Sequence, residues 1–376
     1  MDIINTKALI VEPKKNIHFE NITLKKNNTS EVKIEWHISS VCNSERRRYN
    51  LTKSHTDDNS FVGGHEAIGY IKDEVYIKNR YALLPHSNCM TRNEKIKCHA
   101  CLENRENLCQ FMRHAGLDSG TPSGFTYEMF VPKSQLFNVF ELDEQITPFL
   151  EPLSCVVHSW RLAQFNISSG KNIINIIGGG PIGCLHALYL NKVNKTNKIN
   201  IIEINPQRFH TLERIFSDIE NINIFNDDCD ILADISVMAA SNSSAYLDTV
   251  KLTKIGGKVL LFSGFDDVTL TDDTFLPEII HRNEFTYYAS NIVLVGSSGY
   301  TKIDLNLAKS CLLDFDILKR LITGRVYGLS SKAINLSDGT IEIHDENILI
   351  KDIKGNFPEH IKIQYFNNHN EIDMDT

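Results

Sequence analysis

Over the first 150 residues, apolar and polar positions alternate in short runs. KALIVEP, EVKIEWHISSV, EAIGYI and RYALLP have strand composition, and clusters of Asn, Gly, Asp and Pro separate them. The runs follow no internal period, so they predict an irregular β-rich region. From about residue 157 the texture changes. The apolar run IINII leads into a glycine turn and then a helical pattern, CLHALYLNKV. NKINIIEINP reads as a second buried strand, and QRFHTLERIFSDI is amphipathic at helical spacing. DILADISVMAA and GGKVLLFSGF continue the alternation. Continuous Ile/Val/Leu strands between helices predict a parallel sheet covered on both faces, so the fold class is α/β plus a β-rich domain. After about 292 the pattern is mixed again and closes on a strand-like HIKIQYF. NKVNKTNK reads as a surface loop, and the polar tail NNHNEIDMDT is expected to be disordered.

Composition narrows the classes without naming one. A chain of 376 residues has room for two ordinary domains, each with its own core. Apolar content of 42% and charged content of 23% exclude disordered and collagen-like classes. With 39 Lys and Arg against 47 Asp and Glu, the net charge is -8, which argues against nucleic acid as the main partner. The N-terminal apolar run is short and alternating, unlike a signal peptide, and no window approaches the roughly 18 apolar residues of a spanning helix. Nine cysteines spread over such a chain fit a reducing compartment, with the cytoplasm as the default and no membrane partner.

Gly178, Gly180 and Gly183 form G-x-G-x-x-G, enclosing Pro181 and Ile182, between a buried strand and a helix. Glycine lets the backbone turn tightly and approach a pyrophosphate, and the helix N-terminus presents free N–H groups and a partial positive charge. Glu203 closes the next strand twenty residues after Gly183, placed to accept hydrogen bonds from ribose hydroxyls and to repel the extra phosphate of NADP. The motif therefore predicts a Rossmann-type NAD site. The alternatives are a structural glycine turn, and an Arg208 that tolerates the 2′-phosphate.

Two groups have metal-ligand chemistry. Cys89, Cys98, Cys101 and Cys109 fall within twenty-one residues, and four thiolates in one lobe suit a closed, tetrahedral zinc site of structural type. The second group is dispersed: Cys42 in SSVCNSE, His65 and Glu66 in GGHEAIGY, and Glu151 in FLEPLSC. Cys, His and carboxylate together can hold zinc with one position open. Spacing along the chain does not bring them together.

A resemblance does. The Cys-x-Ser segment, Gly-His-Glu, the four-cysteine lobe, GFTYEMF, Glu-Pro-Leu, the Rossmann glycines, GGKVLLFSG and HRNEF at 281–285 follow the order of zinc-containing medium-chain dehydrogenases of the alcohol dehydrogenase superfamily. The likeness runs from about 7 to 366, and Gly-His-Glu with Glu-Pro-Leu is most similar to the sorbitol and polyol branch. It implies a GroES-like irregular β catalytic domain over 1–156 and a Rossmann doubly wound parallel sheet over 157–291. It further implies a return to the catalytic domain at 292–366, a tail at 367–376, and a homo-oligomer, dimer or tetramer. Carried over residue by residue, Cys42 and His65 match catalytic zinc ligands, and Glu66 and Glu151 match carboxylates that bind the metal directly or through its water. The four clustered cysteines match the structural zinc lobe. Ser44 matches the hydroxyl that takes the substrate proton, Cys155 a residue beside the nicotinamide, and Ile182 the residue packing its far face.

The chain also departs from the family pattern. Asn43 and Glu45 stand where a glycine and another acid are usual, and Arg47 stands where many members carry a proton-relay histidine. Arginine stays protonated and cannot relay as a base. Eight residues, not two, separate Cys89 from Cys98. The resemblance implies hydride transfer between NAD and an alcohol or ketone, a polyol, sugar or cyclitol, with one catalytic and one structural zinc. A zinc-free enoyl or quinone reductase on the same scaffold and a retired NAD-binding protein are the competing readings. Arg46, Arg47 and Arg48 follow the Cys42–Ser44 segment, and Arg47 is the candidate to hold an anionic substrate group. A solvated helix face is the alternative for that run.

Overall fold

The structure, a computed structural model, describes residues 2–27, 29–51, 59–72, 80–264, 285–289, 291–327, 334–335 and 348–367. The first part is β-rich. The strands β1 (Ile3–Val11), β2 (Ile17–Lys25), β3 (Glu31–Ser40), β4 (Glu66–Ile71) and β5 (Arg80–Leu83) come first. They are followed by β6 (His86–Ser87), β7 (Arg113–His114), β8 (Glu128–Pro132) and β9 (Leu136–Asn138). A parallel set comprises β10 (Ile173–Ile177), β11 (Lys198–Ile202), β12 (Ile222–Phe225), β13 (Ala233–Met238) and β14 (Thr253–Leu261), with β15 (Phe285–Ala289) and β16 (Ile292–Gly296) at its edge. Three strands close the chain: β17 (Ile322–Tyr327), β18 (Ile334–Asn335) and β19 (Lys362–Phe366).

These strands form two large sheets. One has the order β18-β17-β19-β3-β4-β5-β9, with β8 pairing beside β3, so the end of the chain returns to the sheet of its beginning. The other has the order β12-β11-β10-β13-β14-β16-β15 and is parallel except for β15. It takes in Ile292–Gly296, just past residue 291, where the change of sequence texture suggests an end. The direction of winding reverses between β10 and β13, which opens a crevice at the carboxyl ends of these strands.

Helices α1 (Asn43–Tyr49), α2 (His99–Leu102), α3 (Leu150–Ala163), α4 (Pro181–Val193), α5 (Pro206–Phe216), α6 (Ser243–Lys251), α7 (Lys302–Leu312) and α8 (Ile348–Ile353) join them. Helix α3 packs against α4 and α7. One continuous core runs from Ile38 and Ile68 of the mixed sheet through Leu153 and Val157 of α3 to Ile174, Leu185 and Val237 of the parallel sheet. Each such fully buried Ile or Leu contributes about 1.5–3 kcal/mol. The sequence pattern does not reveal a polar ladder inside the parallel sheet. Asn223, Asn200 and Asn175 occupy paired positions on three adjacent strands, and their amides link at 3.3 Å and 2.8 Å. A slip of register would orphan the buried amides of Asn175 and Asn200, so the ladder pins the alignment.

Three expectations need correction. Helix α4 continues through Val193, so NKVNKTNK is loop only from Asn194; within it Asn197 is buried and donates to the Ile167 carbonyl. Glu203 lies one residue past β11 rather than closing it. Asn367, assigned to the polar tail, is buried because its amide donates to the Gly124 and Thr126 carbonyls. Residues 368–376, and 281–284 of the HRNEF segment, lie outside the described residues. Among the described residues no helix is long and apolar enough to cross a membrane.

Candidate metal and dinucleotide site

Helix α1 begins directly after Cys42, and its third residue, Glu45, folds back to accept from the Cys42 amide at 3.0 Å. Such a reciprocal arrangement fixes the first turn. The Glu45 carboxylate has no exposed surface. It also accepts from the amides of Gly64 and His65 and lies 3.1 Å from His65 Nδ1. One carboxylate thus ties the Cys42 turn to the Gly63–His65 loop. That loop needs glycine, because Gly64 has φ +91° and an added Cβ would meet the Phe125 amide nitrogen at 2.6 Å.

The next residue, Glu66, opens β4 opposite Ser40 of β3, and β19 flanks β3 on the other side. Their pairing brings three side chains together. Glu66 Oε2 accepts from Ser40 Oγ at 2.5 Å and from Lys362 Nζ at 2.6 Å, all of them buried. The ligand atoms of Cys42, His65 and Glu66 lie within 4.8 Å of one another. Burial works to lower the His65 imidazole, yet Glu45 and Cys42 outweigh it and hold it well above its ordinary value. Burial alone would raise the Glu45 carboxyl, but His65 and the amides of Cys42 and Gly64 hold it below the ordinary range. The group attracts positive charge, and its soft thiol, imidazole and carboxylate are a donor set for zinc.

Glu151 stands in the first turn of α3, with Cys155 one turn further, its Sγ 3.8 Å from Glu151 Oε1. Glu151 is outside the compact set of three ligand atoms. Burial pushes its carboxyl up to about 7, with His65 and Lys362 opposing the rise and Glu66 adding to it, so it faces the same cluster. Ser44, the second residue of α1, has its hydroxyl sealed from solvent and without a partner among the described residues.

Cys89, Cys98, Cys101 and Cys109 are all buried and converge within 4.8 Å. Cys89 and Cys109 are 3.5 Å apart, well beyond the ~2.05 Å of a disulfide. A compact turn absorbs the long interval between the first two. Asn88 Oδ1 accepts from the amides of Met90 and Thr91, and Arg92 reaches back to the carbonyls of Ser87 and Phe111. Four buried thiols that converge at one point fit a closed tetrahedral metal.

The glycine turn lines a cleft of about 610 Å³. Gly178 has φ +107°, and a Cβ at Gly183 would lie 1.9 Å from the Gly178 carbonyl oxygen, so helix α4 and its strand approach as closely as glycine allows. Pro181 and Ile182 line the cleft at the start of α4. Glu203 Oε2 accepts from the Gly179 amide and from Arg208 Nη1, both at 3.0 Å, and Oε1 accepts from the Asn205 amide at 2.7 Å. Arg208 lines the same cleft but is paired with Glu203. Val41, Asn43 and Lys362 also line it, which puts the Cys42–Glu66 cluster at its wall.

The three arginines of α1 diverge, so they are not a solvated face. Arg46 pairs with Asp352 at 2.5 Å and lines the cleft, and Arg48 is buried with its guanidinium 5.1 Å from the Phe61 ring centre. Arg47 reaches toward the loop after β14, where its guanidinium lies 2.9 Å from where a Cβ at Gly264 would stand.

No protein-family model matches the chain, and no curated protein matches it. Solved structures do. L-idonate 5-dehydrogenase from Escherichia coli K-12 superimposes with a TM-score of 0.72 at 20% identity, covering 97% of this chain and 99% of that one. For 2R,3R-butanediol dehydrogenase from Bacillus subtilis the TM-score is 0.69 at 17% identity, with 96% and 100% covered. A zinc-binding dehydrogenase from Sinorhizobium meliloti bound to NADP gives 0.69 at 18%, with 96% and 99% covered. The fold is that of the medium-chain dehydrogenases.

Within this medium-chain dehydrogenase fold, several supporting residues escape a sequence reading. The grip of Glu45 on His65 and the Ser40–Glu66–Lys362 contacts arise from strand pairing and loop closure, which spacing does not encode. The one signal for Lys362 is a lysine inside the apolar strand HIKIQYF, since a buried lysine needs an acidic partner.

Proposed function

We propose that the chain is a zinc-dependent oxidoreductase that moves a hydride between NAD and a secondary alcohol of a polyol, sugar or cyclitol. The observation that carries this reading is a Cys42, His65 and Glu66 ligand set within 4.8 Å, at the wall of a cleft that the Gly178–Gly183 turn lines. A zinc-free reductase has no use for such a set. When bound, zinc supplies a Lewis acid that lowers the proton affinity of an alcohol hydroxyl.

The residues do the rest. Glu45 lies 3.1 Å from Nδ1 of His65, so its charge favours the proton on that nitrogen and leaves Nε2 as the donor lone pair. Lys362 and Ser40 fix Oε2 of Glu66 and leave Oε1 for the site. Ser44 accepts the alcohol proton at Oγ. Arg47 stays protonated and takes none, so the onward step from Ser44 passes through a group other than Arg47. Ile182, at the cleft wall, would pack against one face of the nicotinamide, with Cys155 beside it.

The adenosine end of the cleft supports NAD over NADP. Asp227, Asp230 and Asp248 line it with Glu203, against Lys251 and an Arg208 that Glu203 already engages. Neighbours named for L-idonate and 2R,3R-butanediol support a polyhydroxylated substrate. The nine cysteines are unpaired, in keeping with a cytoplasmic protein, and we place it there as a homo-oligomer.

The test is a panel of polyols, sugars, cyclitols and sugar phosphates assayed in both directions with NAD and with NADP. Alcohol-dependent formation of NADH is expected, with kcat/KM at least about tenfold higher for NAD, the equivalent of ~1.4 kcal/mol. An NADP preference would show that Arg208 or another base outweighs the acidic wall. No turnover with any member would leave a dinucleotide-binding protein.

A further inference from the structure

Ile182 lines the cleft at the start of α4, and His186 stands four residues further along the same helix face. It is wholly buried, and burial pushes its imidazole down to about 3, so the ring is neutral at any working pH. A neutral imidazole offers one acceptor and one donor. Nδ1 accepts from Trp160 Nε1 of α3 at 2.9 Å, which places the ring proton on Nε2. Nε2 is sealed from solvent and has no hydrogen-bond partner among the described residues. What stands against the ring is Phe262, perpendicular at 88° with centroids 4.9 Å apart. Such an edge-to-face contact fixes the angle between the rings, and an aromatic face is a weak acceptor for an N–H. A core position that an apolar side chain could fill thus carries a donor without a full partner, at a cost in stability.

Phe262 follows β14 directly and opens the turn Phe262–Gly264. The backbone holds this turn lightly: the amides of Phe262 and Ser263 share one acceptor, the Met238 carbonyl, at 3.3 and 3.1 Å. Side-chain packing sets the rest. Ser263 lines the cleft. At Gly264 the turn meets the Arg47 guanidinium of α1, the helix that begins at Cys42. The turn therefore belongs to the side of the cleft where the metal cluster lies, and hydride transfer needs the nicotinamide on that side. We propose that His186 is a positioning residue: locked by Trp160, it props Phe262 and so sets the Phe262–Gly264 turn for the nicotinamide half of the dinucleotide. This rests on the dehydrogenase reading and adds to it a side chain that does not itself line the cleft.

The test compares NAD with ADP-ribose, which carries the same adenosine and diphosphate but no nicotinamide, by calorimetric titration of the zinc-loaded full chain. His186→Leu keeps a side chain of similar bulk and removes both the acceptor and the donor. It should weaken NAD about tenfold and leave ADP-ribose within about twofold. Phe262→Leu should reproduce that selective loss. In its background His186→Leu should add almost nothing, because it acts through that ring. Trp160→Phe, which removes the Nε1–H that locks the imidazole and keeps an aromatic ring, should do the same on a smaller scale. It carries the test if His186→Leu does not fold. Equal losses on both ligands would make His186 a packing residue of the nucleotide fold and overturn the proposal. Unchanged NAD affinity, or independent losses in the double variant, would overturn it too. Should the parent bind NAD but oxidise no alcohol, the dehydrogenase reading fails by itself, and the comparison of the two ligands still decides His186. Should the parent bind neither ligand, both readings fall.

Discussion

Glu45 touches four groups at once, and its sequence position beside three arginines suggests a different employment. Its neighbours in space, His65 and the amides of Cys42, His65 and Gly64, are separated from it by up to twenty residues. Glu45→Gln keeps the shape and removes the charge, so His65 loses its tautomer lock. Metal affinity at the Cys42 site should fall by about 10–100-fold, the usual cost of losing such a partner, while the cysteine lobe keeps its metal. Competition with a graded chelator measures both. Asp304 supports a second residue-scale prediction. Burial would raise its carboxyl, but hydrogen bonds from His158, Arg161 and Thr301 hold it well below the ordinary range. A depressed folded value stabilises the fold above the unfolded value of ~3.9, and that stabilisation is lost as pH falls toward the folded value. Asp304→Asn should cost about 2–3 kcal/mol at pH 7, less than a fully buried pair because Arg161 is 41% exposed. The gap from the parent should close as pH drops below about 4. Urea melts across that range check both the size and the direction.

At the scale of elements, much of the architecture is legible because each kind of strand leaves its own trace. IINII, NKINII and ISVM are rich in Ile and Val, with polar residues only at isolated positions, because helices cover both faces of their sheet, and each falls on a strand of the parallel set. The strand IHFENITLK is harder to read: it pairs only with β1 and leaves most of its length partly exposed, so polar residues interrupt its pattern. The glycine turn is readable because sterics leave no alternative at Gly183. The ligand clusters are half readable. Four cysteines within twenty-one residues announce a lobe, whereas Cys42, His65 and Glu66 come together only through pairing of β3 with β4 and the Glu45 clamp. The contacts of Asn107 and Glu106 with the turn before α7 join positions nearly 200 residues apart, and no local pattern reports them.

For the whole molecule, two sheets share one core through α3, and the candidate metal cluster lies at the wall of the cleft that the glycine turn lines. That arrangement makes a direct claim about metal count and use. Elemental analysis of the dialysed protein, made in parallel with alcohol-dependent NADH formation, tests it on the parent, His65→Ala and Cys101→Ser. The account predicts about two zinc equivalents in the active parent. His65→Ala should keep about one, fold normally and lose turnover, because it lacks a ligand of the open site. Cys101→Ser should also keep about one but lose thermal stability, since a closed site contributes folding energy. Undiminished alcohol oxidation by His65→Ala, or by a parent stripped of all metal, would contradict the account.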